Sequence, residues 1–395
     1  MSKVWKRTRG WVRRTRPLVS LALVLAVLAA CAPGPGSERA DIKIGVQGPI
    51  TGQWALEGLG FRNAVALLAD EINAQGGPLG DGRSIVLVEG DDRGDADEAR
   101  RVAERLIAEG VIAVVGAYNS DATAASAPLY DEAGIVQITP SSTATDLTQH
   151  GYSRFFRVCY LDDRQGLFVA SLMATELHVK RAALVHDGSL YARGLADWTQ
   201  RYLQEQGIEV VYFGAVTPGQ RDFTPVIQAL DESGAEAVYF TAYWREAGLL
   251  VRQMREMGLD DVRFLAGDAV NNPEFAQIAG AEAAAGSLIS TFPLPRDLQS
   301  PEAVAFGSAY EARYGEAPQS IYTLMAADGF RLLVDAMKET GSVDPADLAA
   351  HLHAIQDYPG ISGPIEGYDE KGDRMGAGHV VYVVTEEGDF ELFKP

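Results

Sequence analysis

Short apolar runs alternate with amphipathic segments along almost the whole chain, and this alternation limits the folds open to it. The stretch 56–73, for example, repeats apolar residues at spacings of three and four and stops at Gly76-Gly77-Pro78, as an amphipathic helix does. Strand-helix-strand repetition predicts parallel sheets with right-handed crossovers and helices on both faces. The strand-like runs are residues 42–46, 85–88, 113–116, 135–139, 182–186, 210–213, 237–241, 263–266 and 287–291.

The number of strands predicts two lobes. The series is about twice what one doubly wound domain uses, and a chain of 395 residues is too long for one hydrophobic core. We therefore expect an α/β fold of two doubly wound parallel-sheet lobes, joined by three hinge crossovers near residues 160–164, 292–295 and 358–363. The N-terminal lobe is predicted over residues 41–160 plus 293–360. The C-terminal lobe is predicted over residues 161–292 plus 361–395, with a terminal hairpin at 380–385 and 390–394.

The first thirty residues have the pattern of an export signal. Residues 1–17 hold seven basic side chains and no acid, and the apolar run 18–30 that follows is shorter than the roughly 20 residues a transmembrane helix needs. The run ends in Leu28-Ala29-Ala30-Cys31, which resembles the lipobox of bacterial lipoproteins. That resemblance implies a lipoprotein signal peptide at 1–30, acylation of Cys31 and a flexible tether at 31–40. The alternative is an ordinary signal peptide with a chance cysteine.

Charge and cysteine content exclude several classes of function. The chain has 54 acidic and 34 basic residues, seven of the latter within the predicted signal, so phosphate backbones would repel it and we expect no nucleic-acid partner.

If Cys31 is acylated, Cys159 has no disulfide partner, and its strand-like surroundings predict a buried free thiol. Two cysteines and six scattered histidines give no metal-ligand spacing. No cofactor is predicted either, because Gly48-Pro49-Ile50-Thr51-Gly52 lacks the glycine spacing of a dinucleotide site.

The loops that follow the predicted strands carry different kinds of side chains in the two lobes. Ligands of open α/β sheets bind beyond the carboxyl ends of the strands. In the first lobe these loops offer hydroxyls and helix-start amides, notably Ser120, Ser141 and Thr143, which suit a carboxylate. In the second lobe they offer aromatic side chains and one acid, Asp268, which suit an ammonium ion. A ligand that carries both groups on one carbon is an α-amino acid.

Each candidate residue has a simpler alternative. Ser120 and Thr143 are also typical helix caps, and Asp268 could cap the helix that begins near Asn271. The aromatic candidates could instead be core or half-buried packing residues. His186-Asp187 invites a catalytic interpretation, but no well-placed nucleophile accompanies it, so we predict no catalytic residue. The aromatic candidates for the ligand wall are Trp54, Tyr191 and Tyr243.

At this point the chain resembles the type I periplasmic binding proteins of the leucine/isoleucine/valine-binding kind, which serve ABC importers. The similar stretches are 44–52 with Trp54, 70–77, 91–92, 138–143 and 360–365. The resemblance implies the two-lobed fold of that family. It also implies that Ser120 and Thr143 hold the ligand carboxylate. The ligand ammonium would bind the Ser141 carbonyl and Asp268. The side walls of the ligand site would be Trp54, Tyr191, Tyr243 and, further along the chain, Tyr322.

Two departures from the family pattern bear on the ligand side chain. The family often has Tyr-Gly-x-Gly where this chain has Tyr191-Ala192-Arg193-Gly194, and Asp121 adds a charge beside Ser120. Either Asp121 or Arg193 could serve a polar or charged ligand.

The expected function is that of a hinged clamp: an exported, lipid-anchored, monomeric solute-binding protein. It would pass an amino acid or a close analogue to the membrane permease of an ABC transporter, without chemistry. The alternatives are a tethered sensor, an amidase-like enzyme, and a binder of an amide, urea or small aromatic acid.

Overall fold

The first lobe is built on a five-stranded parallel sheet with the strand order β2-β1-β3-β4-β5. The computed structural model describes residues 1–5 and 40–394, and the chain from Asp41 onward forms one unit. The elements of this first segment are β1 (Ile42–Gly48), α1 (Ala55–Ala74), β2 (Ile85–Asp91), α2 (Ala96–Glu109), β3 (Ala113–Val115), α3 (Ser120–Glu132), β4 (Val136–Thr139) and β5 (Phe155–Arg157).

Both faces of this sheet are covered. Along β3, Ala113 and Val115 belong to one buried apolar cluster and Val114 to another. Since successive side chains of a strand point to opposite faces, helices must pack on both sides. This explains why the strands are continuous apolar runs in the sequence and do not alternate with polar residues.

The second lobe contains a seven-stranded sheet with the order β14-β13-β10-β9-β8-β6-β7. Strands β6 to β10 are parallel, and the last two strands add an antiparallel hairpin. The elements are α4 (Asp162–Thr175), β6 (Arg181–His186), α5 (Leu190–Glu205), β7 (Glu209–Ala215), α6 (Thr224–Ser233), β8 (Ala237–Phe240), α7 (Trp244–Glu256), β9 (Arg263–Ala266), α8 (Glu274–Ala279), α9 (Ala281–Ala284), β10 (Leu288–Thr291), β13 (Val380–Val384) and β14 (Phe390–Leu392).

Between β10 and β13 the chain returns to the first lobe. The elements there are α10 (Pro301–Tyr314), α11 (Ile321–Thr340), α12 (Pro345–Ala354) and the two-stranded β11 (Gln356–Tyr358) and β12 (Ile365–Gly367). Helices α10 and α11 pack on α1. The predicted α/β class with two parallel-sheet lobes is therefore confirmed.

The third crossover lies later in the chain than the division expected at residue 361. The backbone amide of Arg157 donates to the Gly372 carbonyl at 3.1 Å, and Arg374 Nη1 donates to the Val158 carbonyl at 2.8 Å. These bonds hold the chain on the first lobe until Arg374, and the second sheet resumes only at Val380. The glycine-rich pattern at 358–363 marks a turn next to β11 and not the change of lobe.

One aromatic ring from each crossing segment meets at the hinge. Tyr160, Phe292 and His379 lie with ring centroids 5.0–5.8 Å apart. Burial lowers the pKa of His379 to about 3, so this imidazole is neutral at physiological pH and packs as an apolar ring. The three chain crossings therefore share a small uncharged cluster.

The cysteine and membrane-related expectations have different outcomes. Cys159 is buried and free, as predicted, and burial raises the pKa of its thiol to about 12. None of the helices in residues 40–394 is long and apolar enough to cross a membrane. The predicted signal peptide, the tether and Cys31 fall, apart from residues 1–5 and Ala40, outside the described residues.

Two glycines allow α1 to pack closely against its neighbours. A Cβ atom on Gly58 would lie 2.3 Å from the Pro49 carbonyl carbon, and one on Gly60 would lie 2.3 Å from Thr323 Oγ1 of α11. The first contact is with backbone, which cannot rotate away. Gly58 thus sets how closely the loop after β1, which leads into the cleft, approaches α1.

We predict that Gly58→Ala lowers the free energy of unfolding by about 1–3 kcal/mol, the usual cost of overpacking. Gly307→Ala is the matched control, because this helical glycine in α10 has no atom within 4 Å of an added Cβ. The control should gain about 0.5–1 kcal/mol from helix propensity. Urea denaturation measures both, and equal effects of the two substitutions would contradict the packing argument.

Candidate functional site

The loops at the carboxyl ends of the two sheets meet across a cleft. In the first sheet the strand order reverses between β1 and β3, and in the second between β6 and β8. Such switch points leave a crevice where ligands bind. Hydrogen bonds cross the cleft here: among them, Asn119 Nδ2 donates to the Tyr243 hydroxyl at 2.9 Å, and the Tyr322 hydroxyl donates to Asp268.

The cleft encloses a small cavity between the loops of the two lobes. Six of the eight predicted ligand-binding residues contribute to its wall, and Trp54 and Thr143 lie outside it. The lining residues are Tyr118, Ser120, Ser141, Tyr191, Tyr243, Asp268, Ala269 and Tyr322.

Asp268 is the only carboxylate in the lining of this cavity and is 3% exposed. It accepts a hydrogen bond from the Tyr191 hydroxyl at 2.8 Å and a second from the Tyr322 hydroxyl. Burial raises its pKa, and the two tyrosines only partly offset this effect. The helix that begins after Asn271, α8, receives no side-chain capping bond at its N-cap Pro273 among the described residues, so the capping alternative for Asp268 has no support.

The hydroxyl side of the cavity is formed by the loops after β3 and β4. Ser120 opens α3, whose amino end receives no side-chain cap among the described residues, which leaves its first-turn amides open to an anion. The Ser141 hydroxyl donates to the Tyr118 carbonyl at 3.0 Å. Thr143 Oγ1 is buried and forms no hydrogen bond within the described residues. The Ser120 hydroxyl and the first-turn amides of α3 can donate hydrogen bonds to a ligand carboxylate.

Trp54 contacts the cavity wall from behind. Its ring centroid lies 5.3 Å from that of Tyr243, which in turn lies 5.8 Å from the ring of Tyr191. Gly94 has a positive φ of 71°, and a Cβ there would lie 2.4 Å from the indole of Trp54. A side chain at position 94 would therefore displace the indole of Trp54.

Sequence reasoning missed Tyr118 as a lining residue. Its ring packs edge-on against Tyr322 at 5.8 Å and against Phe61 at 6.1 Å. Tyr118 directly precedes Asn119 and Ser120 in the loop after β3, so the position of that loop was the available signal. Its apolar ring resembled core in the sequence.

Asp121 and Arg193, left open as contacts for a charged ligand, make other interactions. Asp121 accepts a hydrogen bond from the backbone amide of Leu190 at 3.1 Å, across the cleft rim. Arg193 pairs with Asp197 one turn along α5 at 2.8 Å. Neither residue lines the cavity.

Arg157 supports the loop that carries Ser141 and Thr143. Its side chain is fully buried, and Nη1 donates to the carbonyls of Ser142 at 2.9 Å and Ala144 at 3.0 Å. Its charge is balanced by Asp373, at an Nε–Oδ1 distance of 2.5 Å. A long-range ion pair, unpredictable from spacing, thus fixes the shape of the hydroxyl side.

We predict that Asp373→Ala lowers the free energy of unfolding by about 3–5 kcal/mol, because it leaves a buried guanidinium without a counter-charge. Glu205→Ala is the control, since it breaks the exposed Arg201–Glu205 pair and should change stability little. Chemical denaturation of both variants measures the difference. A small effect at position 373 would show that Arg157 does not depend on this carboxylate.

The cavity wall consists of tyrosines, serines, an alanine and one aspartate. No histidine, lysine or cysteine is among the residues that line it. Outside the wall, His186 Nδ1 accepts a bond from the Gly188 amide at 3.0 Å, which ties it to its own turn. Within residues 40–394, no group of three acidic, histidine or cysteine side chains is arranged to hold a metal ion.

Comparison with known proteins gives consistent matches over this unit. Residues 41–389 match the family model described as periplasmic binding protein. The chain is 36% identical to an amino acid binding protein of Pseudomonas aeruginosa, over 89% of this chain and 92% of that protein. It is 34% identical to the Leu/Ile/Val-binding protein homolog 1 of Brucella abortus, with coverages of 90% and 93%.

Solved structures give the same result. The leucine binding protein LivK of Thermotoga maritima matches with a TM-score of 0.82 and 30% identity, over 89% of this chain and 98% of that one. The substrate binding protein LivJ of Streptococcus pneumoniae, in complex with isoleucine, matches with a TM-score of 0.78 and 30% identity, over 90% and 100%.

Proposed function

Because the chain belongs to the periplasmic binding protein family, we propose that it binds an α-amino acid between its lobes and presents it to the permease of an ABC importer. The observation that carries this proposal is the buried Asp268 carboxylate, which faces a wall of hydroxyls and helix-start amides across one small cavity. The named ligands of the relatives, leucine and isoleucine among them, support an amino acid.

The two charged ends of an amino acid fit opposite sides of the cavity. The ligand carboxylate would lie against the Ser120 hydroxyl, Thr143 and the open amides of α3. The ammonium would donate to Asp268 and to the Ser141 carbonyl. Because an ammonium has three N–H donors, it would supply Asp268 with the kind of hydrogen bond that Tyr191 and Tyr322 now donate.

Binding would close the lobes through contacts at the rim of the cleft. Trp198 Nε1 donates to Thr145 Oγ1 at 3.0 Å, in addition to the Asn119–Tyr243 and Asp121–Leu190 bonds already described. Closure moves the ligand charges from water into a drier site, where fixed dipoles hold them. The relatives are solute-binding proteins, and we propose that this chain likewise returns its ligand unchanged.

We predict that Asp268→Asn weakens binding of amino acids by about 2–5 kcal/mol, which is roughly 30-fold to several-thousand-fold in dissociation constant. The substitution keeps the shape of the side chain but removes the charge that pairs with the ammonium. Calorimetry against a panel of amino acids measures the loss. Des-amino analogues serve as controls and should bind the variant and the natural protein equally; unchanged amino-acid affinity would remove Asp268 from the site.

Binding should also weaken as the pH falls. Burial raises the pKa of Asp268 in the free protein, so protonation begins at a pH above the ordinary aspartate range. The neutral acid cannot pair with an ammonium, and affinity is therefore full above this raised pKa and is lost below it. Titrations at several pH values measure this dependence, and Asp268→Asn should remove that acid limb.

Membership of this family implies an exported protein, and we further propose a lipid anchor at Cys31. The support is the sequence Leu28-Ala29-Ala30 before this cysteine. Cys31→Ser should therefore release the protein from the membrane fraction in cell fractionation. A mutant that still sediments with membranes would show that something other than this thiol holds it there.

A further inference from the structure

Tyr118 differs from the other three tyrosines that line the cavity. The hydroxyls of Tyr191 and Tyr322 donate to Asp268. The hydroxyl of Tyr243 accepts a bond from an asparagine amide. The Tyr118 hydroxyl, by contrast, forms no hydrogen bond with any residue that the structure describes. The cavity wall therefore carries one hydroxyl that is free to bind a ligand.

The Tyr118 hydroxyl reaches the cavity. The residue is 5% exposed, so protein atoms enclose nearly all of it. Its hydroxyl oxygen is nevertheless not among the described unpaired polar atoms that are sealed off completely, as Thr143 Oγ1 is. Because the side chain lines the cavity, the open space next to this oxygen is the cavity itself.

Packing holds the ring that carries this hydroxyl in place. The Tyr118 ring lies edge-on against the fully buried Phe61 at 6.1 Å and against Tyr322 at 5.8 Å. The Tyr118 backbone carbonyl accepts hydrogen bonds from the Ser141 hydroxyl at 3.0 Å and the Ser142 hydroxyl at 3.1 Å. The loop after β4, on the hydroxyl side of the cavity, therefore also fixes Tyr118 at the wall.

A purely structural role does not explain this hydroxyl. A phenylalanine would fill the same position, and a buried tyrosine hydroxyl ordinarily has a hydrogen-bond partner. Tyr130 takes that ordinary form, because it is fully buried and its hydroxyl donates to Gln47 Oε1 at 2.7 Å. Burial raises the pKa of Tyr118, so its hydroxyl keeps its proton at physiological pH and can donate it. An enclosed donor without a partner is unfavourable unless a ligand supplies an acceptor.

We propose that the Tyr118 hydroxyl donates a hydrogen bond to an uncharged oxygen on the side chain of the ligand. The inference rests on the proposed amino-acid function and narrows it to amino acids whose side chain carries a hydroxyl or a carboxamide. The α-groups have other partners in the proposed site, because Ser120 and the amides of α3 serve the carboxylate and Asp268 serves the ammonium. A charged side chain would find no counter-charge, since Asp268 is the only charged residue of the lining.

The test compares amino acids of matched shape. L-Threonine differs from L-valine by a hydroxyl in place of a methyl group, and L-asparagine differs from L-leucine by a carboxamide in place of an isopropyl group. The two pairs place the oxygen at different distances from the α-carbon, so a preference in one pair suffices. Calorimetry on the natural protein should show tighter binding of the polar member by roughly 5- to 150-fold, the range for one buried hydrogen-bonding group left without a partner.

Tyr118→Phe removes the hydroxyl and keeps the ring. It should lower the affinity for the preferred polar amino acid until the ratio of the two dissociation constants in that pair approaches one. The melting temperature of the ligand-free variant should stay the same or rise, because no hydrogen bond among the described residues is lost. Tyr130→Phe is the matched control: it breaks the bond to Gln47, so it should lower the melting temperature and keep the ratio of the natural protein.

The outcomes distinguish this inference from the function on which it rests. If the natural protein binds valine and leucine as tightly as their polar counterparts, or if Tyr118→Phe keeps the ratio, the polar side chain is overturned and amino-acid binding stands. An equal loss of affinity for both members of a pair in Tyr118→Phe would also overturn it, because the hydroxyl would then contact the α-groups that all amino acids share. Failure of the natural protein to bind any amino acid of the wider panel would overturn both.

Discussion

A buried carboxylate shared by two lobes is the constraint on which the cleft depends. Asp268 lies on the second lobe, yet it accepts one hydrogen bond from Tyr191 of that lobe and one from Tyr322 of the first. An ionised carboxylate out of water is costly unless donors surround it. Both tyrosines can donate to Asp268 only when the two lobes are together. A ligand that donates hydrogen bonds to this carboxylate would therefore be coupled to closure of the lobes.

The remainder of the fold keeps the opposite wall fixed while the lobes move. Arg157 binds the carbonyls of the loop after β4, and Asp373 balances its charge from a segment far along the chain. At the hinge, the rings of Tyr160, Phe292 and His379 pack together, and the Arg374 guanidinium lies 4.5 Å from the Tyr160 ring. Arg374 also donates to the Val158 carbonyl, so directional bonds as well as packed rings join the crossing segments.

Much of this was predictable from the sequence, and the remainder was not, for physical reasons. Parallel strands covered on both faces are continuous apolar runs, so the sheets, and the loops that carry Ser120 and Asp268, could be located from pattern alone. The change of lobe after Arg374 depends on hydrogen bonds to Val158, which no local pattern encodes. Tyr118 was missed as a candidate because an apolar ring beside a strand has a common structural role, and only the folded structure shows that it lines the cavity.

Affinity and selectivity therefore have separate origins in this cleft. The groups that would hold the α-carboxylate and α-ammonium are present for every α-amino acid, so they supply affinity and little discrimination. Discrimination needs a group that pays a penalty with the wrong ligand. The tyrosine rings of the wall, Tyr118, Tyr191 and Tyr243 among them, are the part of the lining that a ligand side chain would have to fit.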